Sequence, residues 1–77
     1  MTAARPLYDD LEAVCVLAVE PGALVVLADE GPLRTTYGGP ALARLARGRE
    51  RLPEAGEWVL VRRWTDGPVT FEARLHD

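Results

Sequence analysis

Gly56-Glu57-Trp58-Val59-Leu60-Val61-Arg62-Arg63-Trp64 is the stretch on which the rest of the chain is read. Valines and two tryptophans behind a Gly-Glu start have the composition of a strand. Thr65-Asp66-Gly67-Pro68 follows, then a second extended run, Val69 to Leu75. Asp66-Gly67 is a strong hairpin signal, because a tight primed turn needs positive φ, which Asp and Gly tolerate. A two-residue turn there pairs Trp64 with Val69, Arg62 with Phe71, Leu60 with Ala73 and Trp58 with Leu75. That register sets Arg62 into a mostly apolar face and puts Val59 and Val61 on the other. A bulge near Arg62-Arg63 reconciles the two patterns, since one extra residue inverts the alternation. Which face is core stays open at this point.

Working outward, residues 1–11 read as a loose lead-in, with Pro6 and Asp9-Asp10 discouraging an early strand. Glu12–Val19 is a predicted strand, apolar on both faces. Glu20-Pro21-Gly22-Ala23 fits a type II turn: proline presets φ at the second position and glycine supplies positive φ at the third. Ala23–Ala28 is a second strand, a near-continuous apolar run suited to a closed or well-covered sheet. Asp29-Glu30-Gly31-Pro32 breaks it, and Leu33–Tyr37 makes a third. Gly38-Gly39-Pro40 opens the only helical segment, with Pro40 at the first helical position. Leu42, Leu45 and Ala46 recur on one side of it, Arg44 and Arg47 lie elsewhere on its surface, and Gly48 is a left-handed stop. Arg49-Glu50-Arg51-Leu52-Pro53 is a charged connector into the final hairpin. Three meandering strands, a short helix and a hairpin predict an all-β fold over residues 12–77. Its form is a small five-stranded OB-fold-like barrel with one short helix between strands 3 and 4. An SH3-like barrel is the rival, and it leaves the helix without a role.

Seventy-seven residues make one small domain, which buries roughly 60% of its unfolded surface. The longest apolar runs, Ala13–Val19 and Ala23–Ala28, are too short to span a bilayer, so no membrane partner and a cytoplasmic location are expected. Cys15 is the only cysteine and His76 the only histidine, which excludes an internal disulfide and gives no metal site. No carboxylate pair or nucleophile–base pair stands at a meaningful spacing, so neither an enzyme nor a cofactor is expected. Lysine, isoleucine, asparagine, glutamine and serine are absent, a bias that fits a GC-rich genome.

The net charge of -3 is unevenly spread. Residues 1–31 set Arg5 against Asp9, Asp10, Glu12, Glu20, Asp29 and Glu30, a balance of -5. Residues 44–63 set Arg44, Arg47, Arg49, Arg51, Arg62 and Arg63 against Glu50, Glu54 and Glu57, a balance of +3. A local basic face on an acidic protein follows.

The order of features resembles the N-terminal OB-fold domain of the ribosome-small-subunit-dependent GTPase A family, particularly its actinobacterial members. The matching residues are Val16 and Val19, Glu20-Pro21-Gly22, Val25-Val26, Leu33-Arg34, Leu52-Pro53 and Gly56-Glu57-Trp58-Val59. They continue through Val61-Arg62-Arg63-Trp64, Asp66-Gly67-Pro68-Val69-Thr70 and Glu72-Ala73. Glu57 stands where the family pattern Gly-Asp-x-Val has its aspartate. The resemblance implies docking on small-subunit ribosomal RNA. It does not carry over GTP hydrolysis, because the chain ends at His76-Asp77 with neither a phosphate-binding loop nor any lysine.

The leading expectation is therefore a non-catalytic module binding structured RNA, with the small ribosomal subunit as partner. Arg47, Arg49, Arg51, Arg62 and Arg63 would contact phosphates, and Tyr37 or Trp64 would stack on a base. Against it stands a plainer reading, in which these arginines are solvated surface groups and the aromatics are core. The alternative function is a protein-interaction subunit that reuses the barrel, motivated by the acidic total and the apolar content on both strand faces.

Overall fold

The computed structural model describes residues 11–75. The lead-in up to residue 10 and His76 lie outside the described residues. Five strands, β1 (Leu11–Glu20), β2 (Ala23–Ala28), β3 (Gly31–Tyr37), β4 (Trp58–Arg63) and β5 (Val69–Arg74), close in the order β1-β2-β3-β5-β4. One helix, α1 (Gly39–Ala46), lies between β3 and β4. β3 and β5 run parallel, and every other neighbouring pair is antiparallel. This is the expected OB-like barrel.

Alternation fills the barrel. Val14 and Val16 of β1, Leu24, Val26 and Ala28 of β2, Val59 and Val61 of β4 and Phe71 of β5 point inward and are buried. Leu33, Tyr37 and Val69 pack against them, and Ala41 of α1 joins the same cluster. The core face of the final hairpin is thus the Val59–Val61 face. The sheet is closed, one of the two forms the apolar run of β2 suits, but closure does not cover the outside: Leu17, Val19 and Leu27 are exposed.

The turn between β4 and β5 departs from the expected register. Arg63, not Trp64, pairs with Val69, and residues 64–68 form the loop. Gly67 is not among the residues with positive φ, so no primed turn forms. The cause is Pro68: in a two-residue hairpin it would have to donate an N–H to Thr65, and proline has none. A bulge is present but lies lower, between Leu60 and Val61, where Glu72 is the extra residue on β5. It restores Val61 opposite Phe71. A second bulge sits at Leu17 of β1.

Helix α1 ends as expected. Gly48 adopts φ 71°, its N–H donates to the Leu45 carbonyl at 3.1 Å, and Arg49 N–H donates to the Arg44 carbonyl at 3.0 Å. Its rotation differs from the expected one: Ala41 is the buried residue, while Leu42 is 53% exposed. Two anchors impose this. Gly38 N–H donates to the Phe71 carbonyl at 2.9 Å, and Arg44 Nη2 donates to the Glu72 carbonyl at 2.7 Å. They turn Ala41, Arg44 and Leu45 toward the barrel.

Gly38 is needed for space rather than for φ, which is -66°. A Cβ placed there would lie 2.6 Å from Glu72 Oε2. Gly38→Ala therefore obliges the Glu72 carboxylate, the far end of a flexible side chain, to swing away, at an expected cost of under about 1.5 kcal/mol. Glu72→Ala should relieve most of that cost in a double-mutant cycle read by urea denaturation. Additive losses would contradict the contact.

Candidate nucleic-acid interface

The arginines separate into two groups. Arg63, at the end of β4, is held between two carboxylates. Its Nε donates to Glu12 Oε1 at 2.7 Å, and its Nη1 and Nη2 donate to Glu30 at 2.7 and 2.9 Å. This ties β4 to β1 and to the β2–β3 turn. The hydrogen bonds from Arg63, and then Glu30's own backbone N–H, hold the Glu30 carboxyl down at about 2. The carboxylates in turn raise Arg63.

A carboxyl depressed in the folded state contributes stability above its unfolded pKa and loses it as pH falls toward the folded one. The Glu30 contribution is thus complete above about pH 4.5 and lost on the way to about 2. Arg63→Ala is expected to lower the urea midpoint at neutral pH and to flatten its fall across that acid window. Parallel acid profiles for wild type and variant would refute the linkage.

Arg62 is also engaged. Its Nε lies 4.0 Å from Glu72 Oε2 and its guanidinium 5.5 Å from the Trp64 ring centroid. Tyr37 packs edge-on against Phe71, with ring centroids 5.7 Å apart, and burial raises its phenol. It is partly buried and packs against the core. Trp64 is 52% exposed, and its Nε1 donates to Thr70 Oγ1 at 2.9 Å.

Arg47, Arg49 and Arg51 behave differently. They follow the helix end and the connector, all three are exposed, and none makes an ion pair or side-chain hydrogen bond among the described residues. Arg49 and Arg51 line a concavity of ≈ 500 Å³ with Arg44, Gly48, Glu50, Ala73 and Arg74. Arg44 Nε donates to Glu50 Oε1 at 2.6 Å, and Arg74 Nε donates to Glu57 Oε2 at 3.0 Å. Arg74 first, then the Glu54 backbone and the more distant Arg51, lower the Glu57 carboxyl. Four guanidiniums therefore face two carboxylates, and the rim stays positive.

Structure brings Arg49 and Arg51 together with Arg44 and Arg74, and Arg62 together with Trp64. It does not bring Arg62 and Arg63 to the basic rim: Arg63 pairs with Val69 and Arg74 with Val59, at opposite ends of the hairpin. Five steps along β5 separate them by roughly 16 Å. Reading the sequence missed Arg74, whose place beside Arg49 depends on a strand-to-connector contact that no local pattern encodes. It also treated Arg44 as mere helix surface.

An apolar row crosses the outside of the barrel. Leu27 pairs with Cys15, and Cys15 with Trp58 on its other side, so the three lie side by side. Leu27 is 50% and Trp58 54% exposed. No helix among the described residues is long and apolar enough to cross a membrane, and no described group of His, Cys, Asp or Glu could hold a metal. Comparison of the chain with protein-family models, curated proteins and solved structures gives no match to any of them.

Proposed function

We propose that the barrel is a non-catalytic module that binds structured RNA, with small-subunit ribosomal RNA as its target. The observation that carries this is the triplet Arg47, Arg49 and Arg51, exposed and without an ion pair or side-chain hydrogen bond among the described residues, Arg51 feeling Glu57 only at longer range. Elsewhere the described arginines have engaged head groups: Arg34 with Glu20, Arg44 with Glu50, Arg62 with Trp64 and Glu72, Arg63 with Glu12 and Glu30, Arg74 with Glu57. A run of exposed arginines outside ion pairs on an acidic protein suits a polyanion, and guanidinium is the better group for bidentate phosphate contact. The family resemblance in the hairpin region supplies the ribosomal target.

The test is to titrate small-subunit ribosomal RNA fragments with wild type and with Arg47→Ala/Arg49→Ala/Arg51→Ala at several salt concentrations. The triple variant should bind more weakly. RNA binding that is absent or unchanged would overturn the proposal. Loss of a co-purifying protein on Trp58→Arg, with RNA binding absent, would instead establish the protein-interaction reading, since Trp58 and Leu27 form the exposed apolar row.

A further inference from the structure

We infer that Trp64 is a preorganised stacking platform for one unpaired nucleobase. This rests on the RNA-binding reading and names the kind of nucleotide taken.

Half-exposed tryptophans are usually free to change rotamer. Trp64 is not, because each contact that holds it is held in turn. Its Nε1–H donates to Thr70 Oγ1 at 2.9 Å, and Thr70 is only 8% exposed. The Thr70 hydroxyl spends its own proton on Glu72 Oε2 at 2.6 Å, which leaves its oxygen to accept from the indole. Glu72 Oε2 sits 2.6 Å from where a Cβ on Gly38 would lie, in space that the glycine leaves open, and Arg62 Nε is 4.0 Å from it. Arg62 lies 5.5 Å from the indole centroid, within cation–π range.

Trp58 provides the contrast. It is 54% exposed, close to the 52% of Trp64, yet makes no side-chain hydrogen bond among the described residues. Exposure alone therefore does not explain the fastening of Trp64. Trp64 lines a concavity of ≈ 510 Å³ with Thr65, Asp66, Gly67 and Pro68.

With its N–H satisfied internally, the indole offers a π surface and no hydrogen-bond donor. Such a surface accepts any base by stacking and reads no base edge. Bases inside a duplex already have both faces covered by neighbours, so the ligand must present an unstacked one, in a loop, a bulge or a single strand. Thr70 lies four steps along β5 from Arg74, about 13 Å. One short stretch of strand therefore carries the platform at one end and the basic rim at the other.

The experiment uses the full chain in a Trp58→Phe background, which leaves Trp64 as the sole tryptophan. Its fluorescence is titrated with a 12-nucleotide single-stranded RNA and with a 12-base-pair RNA duplex. The single strand should quench Trp64 and bind more tightly than the duplex. Trp64→Ala, introduced with Trp58 intact and read by filter binding, should lose about 5- to 150-fold in single-strand affinity with an unchanged salt slope. Trp64→Phe should keep part of that affinity and guards against misfolding of the alanine variant. Thr70→Val tests positioning: the indole should broaden in fluorescence anisotropy decay while part of the binding is lost. If the Arg47/Arg49/Arg51 variant weakens binding while Trp64→Ala binds as wild type does, the stacking proposal falls and the RNA reading stands. If neither RNA binds at any salt, both fall.

Discussion

Phe71→Ala is expected to cost about 3–5 kcal/mol of folding stability, the largest effect of any single truncation in this core. The side chain is fully buried and sits where four elements meet. It faces Val61 across β4, pairs with Tyr37 across the parallel β3–β5 contact, meets the Tyr37 ring edge-on, and its carbonyl accepts from Gly38 at the start of α1. The parallel contact has two Cα pairs, Thr36 with Thr70 and Tyr37 with Phe71, so side-chain packing carries much of that seam. A 77-residue domain has roughly 4–11 kcal/mol in total. Losing 3–5 of these should lower the melting temperature by about 4–8 °C for each kcal/mol. Circular dichroism melts of Phe71→Ala and Phe71→Leu decide it: the leucine variant, nearer in volume, should lose under about 1.5 kcal/mol. An alanine variant that melts within a few degrees of wild type would show that the seam is held by the backbone alone.

What was legible in the chain and what was not follow from the range of the interactions. Turns and caps speak locally. Pro21-Gly22 and Gly48 announce positive φ at the places where the chain uses it, and the element order of the barrel follows from them. Register is a subtler matter. Asp66-Gly67 carries the local signature of a tight turn, but Pro68 vetoes the closing hydrogen bond, and the loop widens to residues 64–68. The rotation of α1 was illegible for a different reason. Its apolar pattern favours Leu42, yet Gly38 and Arg44 anchor the helix through the backbone of Phe71 and Glu72, over thirty residues from Gly38.

The candidate site divides along the same line. Arg49 and Arg51 were legible as a run of positive charge in a connector. That Arg63 is neutralised was not, because Glu12 and Glu30 lie 51 and 33 residues away and reach it only once β4 closes on β1. Charge counting along the chain sees a balance of +3 over residues 44–63. The closed barrel sees a basic rim at one end of the hairpin and an ion-paired clamp at the other.

This partition sets the size of the salt effect expected for RNA binding. Each phosphate neutralised by an arginine contributes roughly -0.7 to -0.9 to the slope of log affinity against log salt. Arg47, Arg49 and Arg51, whose guanidiniums make no ion pair or side-chain hydrogen bond among the described residues, then give wild type a slope of about -2.1 to -2.7. Between 50 and 200 mM salt its affinity for RNA should fall about 20- to 40-fold. Replacing the three by alanine should flatten the slope toward zero and bring low-salt affinity down to what wild type retains when salt screens the rim. Arg63→Ala acts on another quantity. That guanidinium is committed to Glu12 and Glu30, so its removal should lower folding stability and leave the slope nearly as it was. Filter binding over a salt series, with urea melts of the same variants, separates the two. If Arg63→Ala flattens the slope as much as the triple variant does, the clamp opens to bind phosphate, and the division of labour between the two ends of the hairpin is wrong.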